Sequence, residues 1–257
     1  MKKGIFAWFG LEVGNEARFQ AIQAAGFQTV MLEWSGDFPQ LGPKEENVER
    51  AQRFQLTIEN GHLSYKHINE LWLDTLAGEA FFLQLKRDIA SAGRWGVPVL
   101  VIHTSSGKNP PPITELGLNR FGLLIEVAEK SGVKLAFENL RKPEYPFAVM
   151  DRYVCANAGF CYDVGHRNYL TPEFDYLKKY GDRLLALHLH DNDGTEDQHL
   201  LPFDGTVNWK KEMSAIKNTA YRGSLTLEVK PALVDYPDPV MAASLRADQL
   251  IKLFEEA

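Results

Sequence analysis

The chain has 257 residues, 45% hydrophobic and 24% charged, which suffices to bury a large core and matches an ordinary soluble enzyme. Its formal net charge is −6, and its basic pairs Lys2/Lys3, Arg141/Lys142, Lys178/Lys179 and Lys210/Lys211 are scattered, so nothing favours binding to nucleic acid. No apolar stretch approaches the roughly 20 residues of a membrane span, and MKKGIFAWFG runs into Glu12, Asn15 and Glu16 without a cleavage pattern, which places the chain in the cytoplasm.

In chain order, short runs rich in β-branched and aromatic residues alternate with longer amphipathic stretches. The first half offers GIFAWF (4–9) and a helix near 15–25, TVMLEW (29–34) and a helix near 44–54, LTIENGH (56–62) and a helix near 79–95, then VPVLVIH (97–103) and a helix near 114–131. The second half offers VKLAFE (133–138) and a helix near 147–157, GFCYD (159–163) and a helix near 171–180, LLALHLH (184–190) and a helix near 208–218, then SLTLEV (224–229) and a helix near 239–256. Gly26, Gly96, Gly132, Gly159 and Gly223 each stand between a helix and a strand, where a left-handed C-cap is expected. Asn109-Pro110-Pro111-Pro112 reads as a stiff loop between the fourth strand and its helix. Cys155 and Cys161 have no CxxC partner and read as reduced, buried thiols.

Eight strand-helix units without a break in composition predict an α/β fold, a (β/α)8 TIM barrel in a single domain spanning residues 1–257. An open doubly wound sheet fits less well. No GxGxxG opens the first helix, and polar residues recur at the ends of many strands instead of gathering at one switch point.

Those polar ends carry the chemistry. Glu33 closes the second strand, His62 the third, His103 the fourth, Glu138 the fifth and Asp163 the sixth; His188 and His190 end the seventh and Glu228 the eighth. A carboxylate or imidazole at the end of an apolar run is costly unless a charge meets it. Glu138, Asp163, His188 and Glu228 can share that cost around one divalent cation, and two Glu, one Asp and one His suit Mn, Mg, Co or Zn.

The chain resembles the xylose isomerase-like TIM barrels, a superfamily of sugar isomerases, ketose epimerases, inosose dehydratases and endonuclease IV-type repair enzymes. The resemblance covers nearly the whole chain and is carried by Phe137-Glu138-Asn139, Asp163-Val164-Gly165-His166, His188-Leu189-His190-Asp191-Asn192-Asp193-Gly194, Asp197-Gln198-His199 and Leu227-Glu228. It implies Glu138, Asp163, His188 and Glu228 as metal ligands, with His166 beside the substrate. His188 and His190 share one side of a strand, and each has an Asp three residues on, so spacing does not choose between them; the His-x-x-Asp form common in the family favours His188.

Two enzymatic activities are compatible with the resemblance. One is isomerisation or epimerisation of a sugar, sugar acid or inosose, with Glu138 and Glu228 as the catalytic pair and His62, His103, His166, His190, His199 and Lys230 holding the substrate. The other is an endonuclease IV-like, multi-zinc phosphodiesterase acting on abasic DNA, because His62, His103, Asp163-x-x-His166 and Asp197-x-His199 match positions of extra zinc ligands in that enzyme type. The acidic charge and an expected aromatic rim of Phe6, Trp8, Trp34 and Trp72 favour a small sugar or polyol partner over a DNA backbone. A binding subunit without turnover is disfavoured by the intact ligand set. Where relatives show Gly-x-Gly before the seventh helix, this chain has Phe203-Asp204-Gly205, whose aromatic either closes over the pocket or packs on Trp209. Sequence leaves open a homo-oligomer, the substrate, and the choice among isomerisation, epimerisation and dehydration.

Overall fold

Eight short parallel strands form the centre of the molecule: β1 (Lys3–Phe6), β2 (Thr29–Glu33), β3 (Thr57–His62), β4 (Val99–Ile102), β5 (Lys134–Glu138), β6 (Ala158–Asp163), β7 (Leu184–His188) and β8 (Leu225–Leu227). The computed structural model describes residues 1–10, 12–230 and 235–257. The strands pair in the order β7-β6-β5-β4-β3-β2-β1-β8. The ring closes through one parallel bridge, Leu189 to Leu227, in which Leu189 N donates to Thr226 O (2.9 Å) and Glu228 N donates to Leu189 O (3.1 Å). The fold is the expected (β/α)8 barrel.

Side chains alternate along each strand between two environments. Leu100, Ile102, Leu135, Phe137, Phe160 and Leu187 point outward into the main core beneath the helices. Inside the barrel, Val101, Ala136, Cys161 and Ala186 form a separate small cluster on neighbouring strands. Two residues further along β5, β6 and β7 stand Glu138, Asp163 and His188, so a floor of small side chains leaves room for the polar ones above it. The N-terminal end of the barrel is polar too: a Cβ on Gly4 would lie 2.6 Å from the hydroxyls of both Thr29 and Thr226, and the Glu59 carboxylate bonds to the Thr226 hydroxyl.

The outer layer consists of α1 (Asn15–Ala24), α2 (Lys44–Arg53), α3 (Leu76–Arg94), α4 (Glu115–Lys130), α5 (Glu144–Arg152), α6 (Val164–Leu170), α7 (Tyr176–Tyr180), α8 (Trp209–Lys217) and α9 (Pro239–Glu256). Side chains cap several of them: Thr75 accepts from Gly78 N on α3, Thr114 from Gly117 N on α4, and Asp238 from Met241 N on α9. None of the helices among the described residues is long and apolar enough to cross a membrane.

The helix expected over 171–180 forms only as α7 over Tyr176–Tyr180, and the separate α6 (Val164–Leu170) precedes it. Asp163 caps α6 at once, its Oδ1 accepting from His166 N at 2.6 Å, and Pro172 ends that helix before α7 begins. His166 therefore sits in the first turn of α6. Gly26, Gly96 and Gly132 take the expected left-handed conformation, but Gly159 lies within β6, where a Cβ would meet Leu185 at 2.4 Å, and Gly223 is not left-handed. Trp34 and Trp72 are core residues, not rim: both are buried and donate from Nε1, to Asp88 O (2.9 Å) and Thr104 O (2.8 Å). Cys161 is buried as expected, but Cys155 is exposed.

Candidate active site

At the C-terminal ends of the strands, Glu138, Asp163, His188 and Glu228 offer ligand atoms that all lie within 4.8 Å of one another. His188 is fully buried, and its Nδ1 lies 3.1 Å from Glu228, 3.5 Å from Glu138 and 3.8 Å from Asp163. Neither of its ring nitrogens has a hydrogen-bond partner among the described residues. A buried nitrogen without a hydrogen bond, turned toward three carboxylates, is an arrangement that a divalent cation satisfies. The donor set, oxygen-rich with one nitrogen, fits the ions named from sequence.

Glu138 is the hub of the surrounding imidazoles. Its Oε2 lies 3.3 Å from His62 Nε2 and 3.0 Å from His103 Nε2, and its Oε1 lies 3.0 Å from His166 Nδ1. Burial pushes the Glu138 carboxyl up, but the charges of His103 and His188 and the hydrogen bonds of His103 and His166 outweigh it and hold the group well below the usual carboxylate range. Glu228 is lowered in the same way, burial being outweighed by His188 and His199. Burial opposes a charged ring at His62, yet Glu138 raises it; at His103 burial prevails and lowers it. Below the quartet, burial pushes the Cys161 thiol up to about 12.

A second acid serves the outer imidazoles. Asp197 Oδ2 is 3.4 Å from His166 Nε2 and 3.4 Å from His199 Nε2. Burial works against charge in all three groups, but it is outweighed: Asp163, Asp197 and Glu138 raise His166, Asp197 and Glu228 raise His199, and the two rings lower Asp197. His199 holds this place at φ +51, a left-handed conformation uncommon outside glycine, with its Nδ1 2.7 Å from Glu228 O.

Backbone clamps fix the ends of the strands. Asn139, fully buried after β5, donates from Nδ2 to Asp163 O (2.8 Å) and accepts from Asp163 N (2.8 Å), extending the β5–β6 pairing by one side chain. Asp191 accepts from Asn192 N, Phe203 N, Val207 N and Trp209 Nε1, all at 2.8–3.0 Å, and so folds the long loop after β7. Gly165 is required for close approach: a Cβ there would lie 1.9 Å from the His190 ring.

A cavity of about 160 Å³ opens over the quartet, lined by Phe6, Glu33, Phe38, His62, Tyr65, His103, Glu138, His166, Asp197, His199, Glu228 and Lys230. His62, His103, His166, His199 and Lys230 thus stand where the sequence placed substrate contacts. His190 does not line the cavity: it is fully buried, its Nε2 on Asp163 (3.1 Å) and its ring stacked on His199 at 4.1 Å. Phe203 packs toward Trp209, 6.1 Å between ring centres, and is absent from the lining. Phe38 and Tyr65 had no sequence signal beyond lying in loops after strands. Glu33 is visible in the strand-end pattern without a role, and Asp197 enters the sequence reading only as a candidate extra zinc ligand in the Asp-x-His motif. Burial raises the Glu33 carboxyl despite hydrogen bonds from Ser35.

Fold and site together define a (β/α)8 barrel that gathers carboxylates and imidazoles at the C-terminal strand ends around one small cavity. The sequence profile of the family described as xylose isomerase-like TIM barrel matches residues 19–248. The chain belongs to that family. It is 33% identical to fructoselysine 3-epimerase of Escherichia coli O157:H7 over 275 aligned positions, which cover 92% of this chain and 93% of that one. It is also 40% identical over 105 residues to the uncharacterised protein y4fM of Sinorhizobium fredii, a match covering 40% of this chain and about a third (33%) of that relative's length. A crystal structure of a D-tagatose 3-epimerase-like protein superposes with a TM-score of 0.80, covering 100% of this chain and 99% of that one at 19% identity, a likeness of fold.

Proposed function

We propose that the protein is a divalent-metal-dependent epimerase or isomerase of a sugar, moving a proton on a carbon next to a carbonyl. The observation that carries this is the convergence of Glu138 and Glu228, from strands on either side of β6 and β7, on Nδ1 of His188 at the base of a cavity of about 160 Å³. A divalent ion held by Glu138, Asp163, His188 and Glu228 would supply Lewis-acid polarisation of a substrate carbonyl. Both glutamates are held ionised, so each can accept a proton. One takes the proton from one face of the carbon, and the other, once protonated from solvent, gives a proton to the opposite face while the first releases its own to solvent. Phe6, Phe38 and Tyr65 offer apolar surface to a sugar, while His62, His103, His166, His199 and Lys230 offer hydrogen bonds to its oxygens. The cavity is smaller than the roughly 300–1,000 Å³ of drug-sized ligand sites, in keeping with a single sugar unit. The name of the relative at 33% identity, a 3-epimerase of a ketose conjugate, agrees with this chemistry.

Turnover of a panel of ketoses in D₂O tests the assignment. Deuterium should enter the carbon next to the carbonyl, a chelated sample should be inactive, and manganese should restore it. Turnover without solvent deuterium, or full activity after chelation, sinks the proposal.

Hydrolysis has separate support in two further ligand triads. His62, His103 and Glu138 form one, and Asp163, His166 and His190 form another, the ligand atoms of each lying within 4.8 Å of one another. Such triads suit zinc, and a phosphodiesterase of the endonuclease IV kind uses up to three metals. One ion per chain on metal analysis would support sugar chemistry; two or three, with incision of abasic DNA, would support hydrolysis.

A further inference from the structure

A second cavity of about 220 Å³ adjoins the first on the β4–β5 side of the rim. The two share Tyr65 and His103, whose rings stack at 4.9 Å with 24° between their planes. Ser105, Ser106 and Arg141 supply the polar part of its wall. Arg141 is half-buried there, its Nη2 donating to Tyr169 Oη (3.2 Å) and its guanidinium 5.3 Å from the centre of the Tyr169 ring. A neutral side chain thus orients it. Among the described residues no carboxylate forms an ion pair with Arg141, nor with Lys108 or Lys142 in the same two loops. Elsewhere Arg50, Arg120, Arg152, Arg167 and Arg246 are each paired with a Glu or Asp.

In a chain of net charge −6, a guanidinium on a cavity wall without an acid is a pairing position left open. The guanidinium fork matches the planar oxygens of a carboxylate or the oxygens of a phosphate. The wall is pre-organised, since Asn69 donates to Ser106 O (2.9 Å) and accepts from Ser106 N (2.9 Å). The first cavity is lined by the acids Glu33, Glu138, Asp197 and Glu228, whereas the lining of the second carries none among the described residues, so a negatively charged group is better placed in the second.

We propose that the substrate is an anionic sugar, carrying a carboxylate or phosphate ester remote from the reacting carbon, and that this group docks on Arg141 in the second cavity. The inference rests on the sugar-epimerase assignment for the reacting end only; the anion pocket is testable by binding alone. Calorimetric titration of the purified protein with a ketose phosphate, a keturonic acid and a neutral ketose, repeated on Arg141→Ala and Arg141→Lys, provides the test. The wild type should prefer one of the charged ketoses, and which one separates phosphate from carboxylate. In Arg141→Ala the preference for charged over neutral ketose should fall about 10–100-fold, the loss expected for charge-assisted hydrogen bonds, and Arg141→Lys should recover part of it. In turnover the loss should appear in KM for the charged ketose more than in kcat. Equal losses for charged and neutral ketoses, or no preference in the wild type, overturn the proposal. Arg141-dependent binding of an oligonucleotide in place of the ketoses overturns it too, assigning the pocket to a nucleic-acid backbone. Charged ketoses that bind through Arg141 without being turned over leave the pocket standing and remove the epimerase.

Discussion

Both ends of this barrel hold carboxylates, half-buried at one end and mostly buried at the other, and they serve them in opposite ways. At the N-terminal end Glu59 sits at a register shift of β3 against β2, and its oxygens accept from Tyr221 Oη (2.9 Å), Ser224 N (2.5 Å) and the Thr226 hydroxyl. Every partner is neutral and fixed, and the acid is fully served by the protein. At the C-terminal end Glu138, Asp163 and Glu228 face imidazoles, and neither ring nitrogen of His188 among them makes a well-aligned hydrogen bond to the described residues. A carboxylate inside the barrel therefore does not by itself mark the proposed centre. Incomplete satisfaction does, because a polar atom that the protein leaves unserved is available to a ligand.

That contrast can be broken most severely at the reactive end. Glu138→Gln or Glu228→Gln should lower kcat by about 10²–10⁴-fold, the range for a positioned proton carrier, with the fold intact by circular dichroism. A variant of either kind with wild-type kcat removes that residue from catalysis. A step down in magnitude, Asn139→Ala should weaken binding of manganese about 10–100-fold by freeing the β6 end that carries Asp163, as read by titration of the metal-free protein. Glu59→Ala should leave KM and kcat unchanged while costing about 1–3 kcal/mol of stability from unserved donors, which a thermal melt reads as a drop of several degrees. A change in KM there would join the two ends that the structure separates. The smallest effect is chemical: a thiol reagent should label Cys155 in the native protein and reach Cys161 only on denaturation, since Cys161 is buried with its thiol pushed up to about 12.

The reactive end was more legible in sequence than its surroundings. Strand ends announce themselves because an apolar run that closes on Glu138, Asp163, His188 or Glu228 breaks its own pattern, and the barrel brings such breaks to one rim. Trp34 and Trp72 misled because an aromatic near a strand end can turn outward under the helices, a choice set by side-chain alternation and not by residue type. The separate α6 ahead of residue 171 turns on Asp163 serving as a cap while its other oxygen faces the centre, a double use that spacing does not reveal. Phe38, Tyr65 and the Arg141 pocket depend on loop paths, which tertiary contacts set and no periodic pattern encodes.

The seam between β7 and β8 has a mechanical meaning. A single bridge with two hydrogen bonds joins these strands, and it lies directly beside His188 on one strand and Glu228 on the other. Whatever draws those two side chains together acts as a clasp on the hoop, and whatever releases them loosens it at its thinnest link. In this protein, keeping the ring shut and assembling the reactive centre are one task.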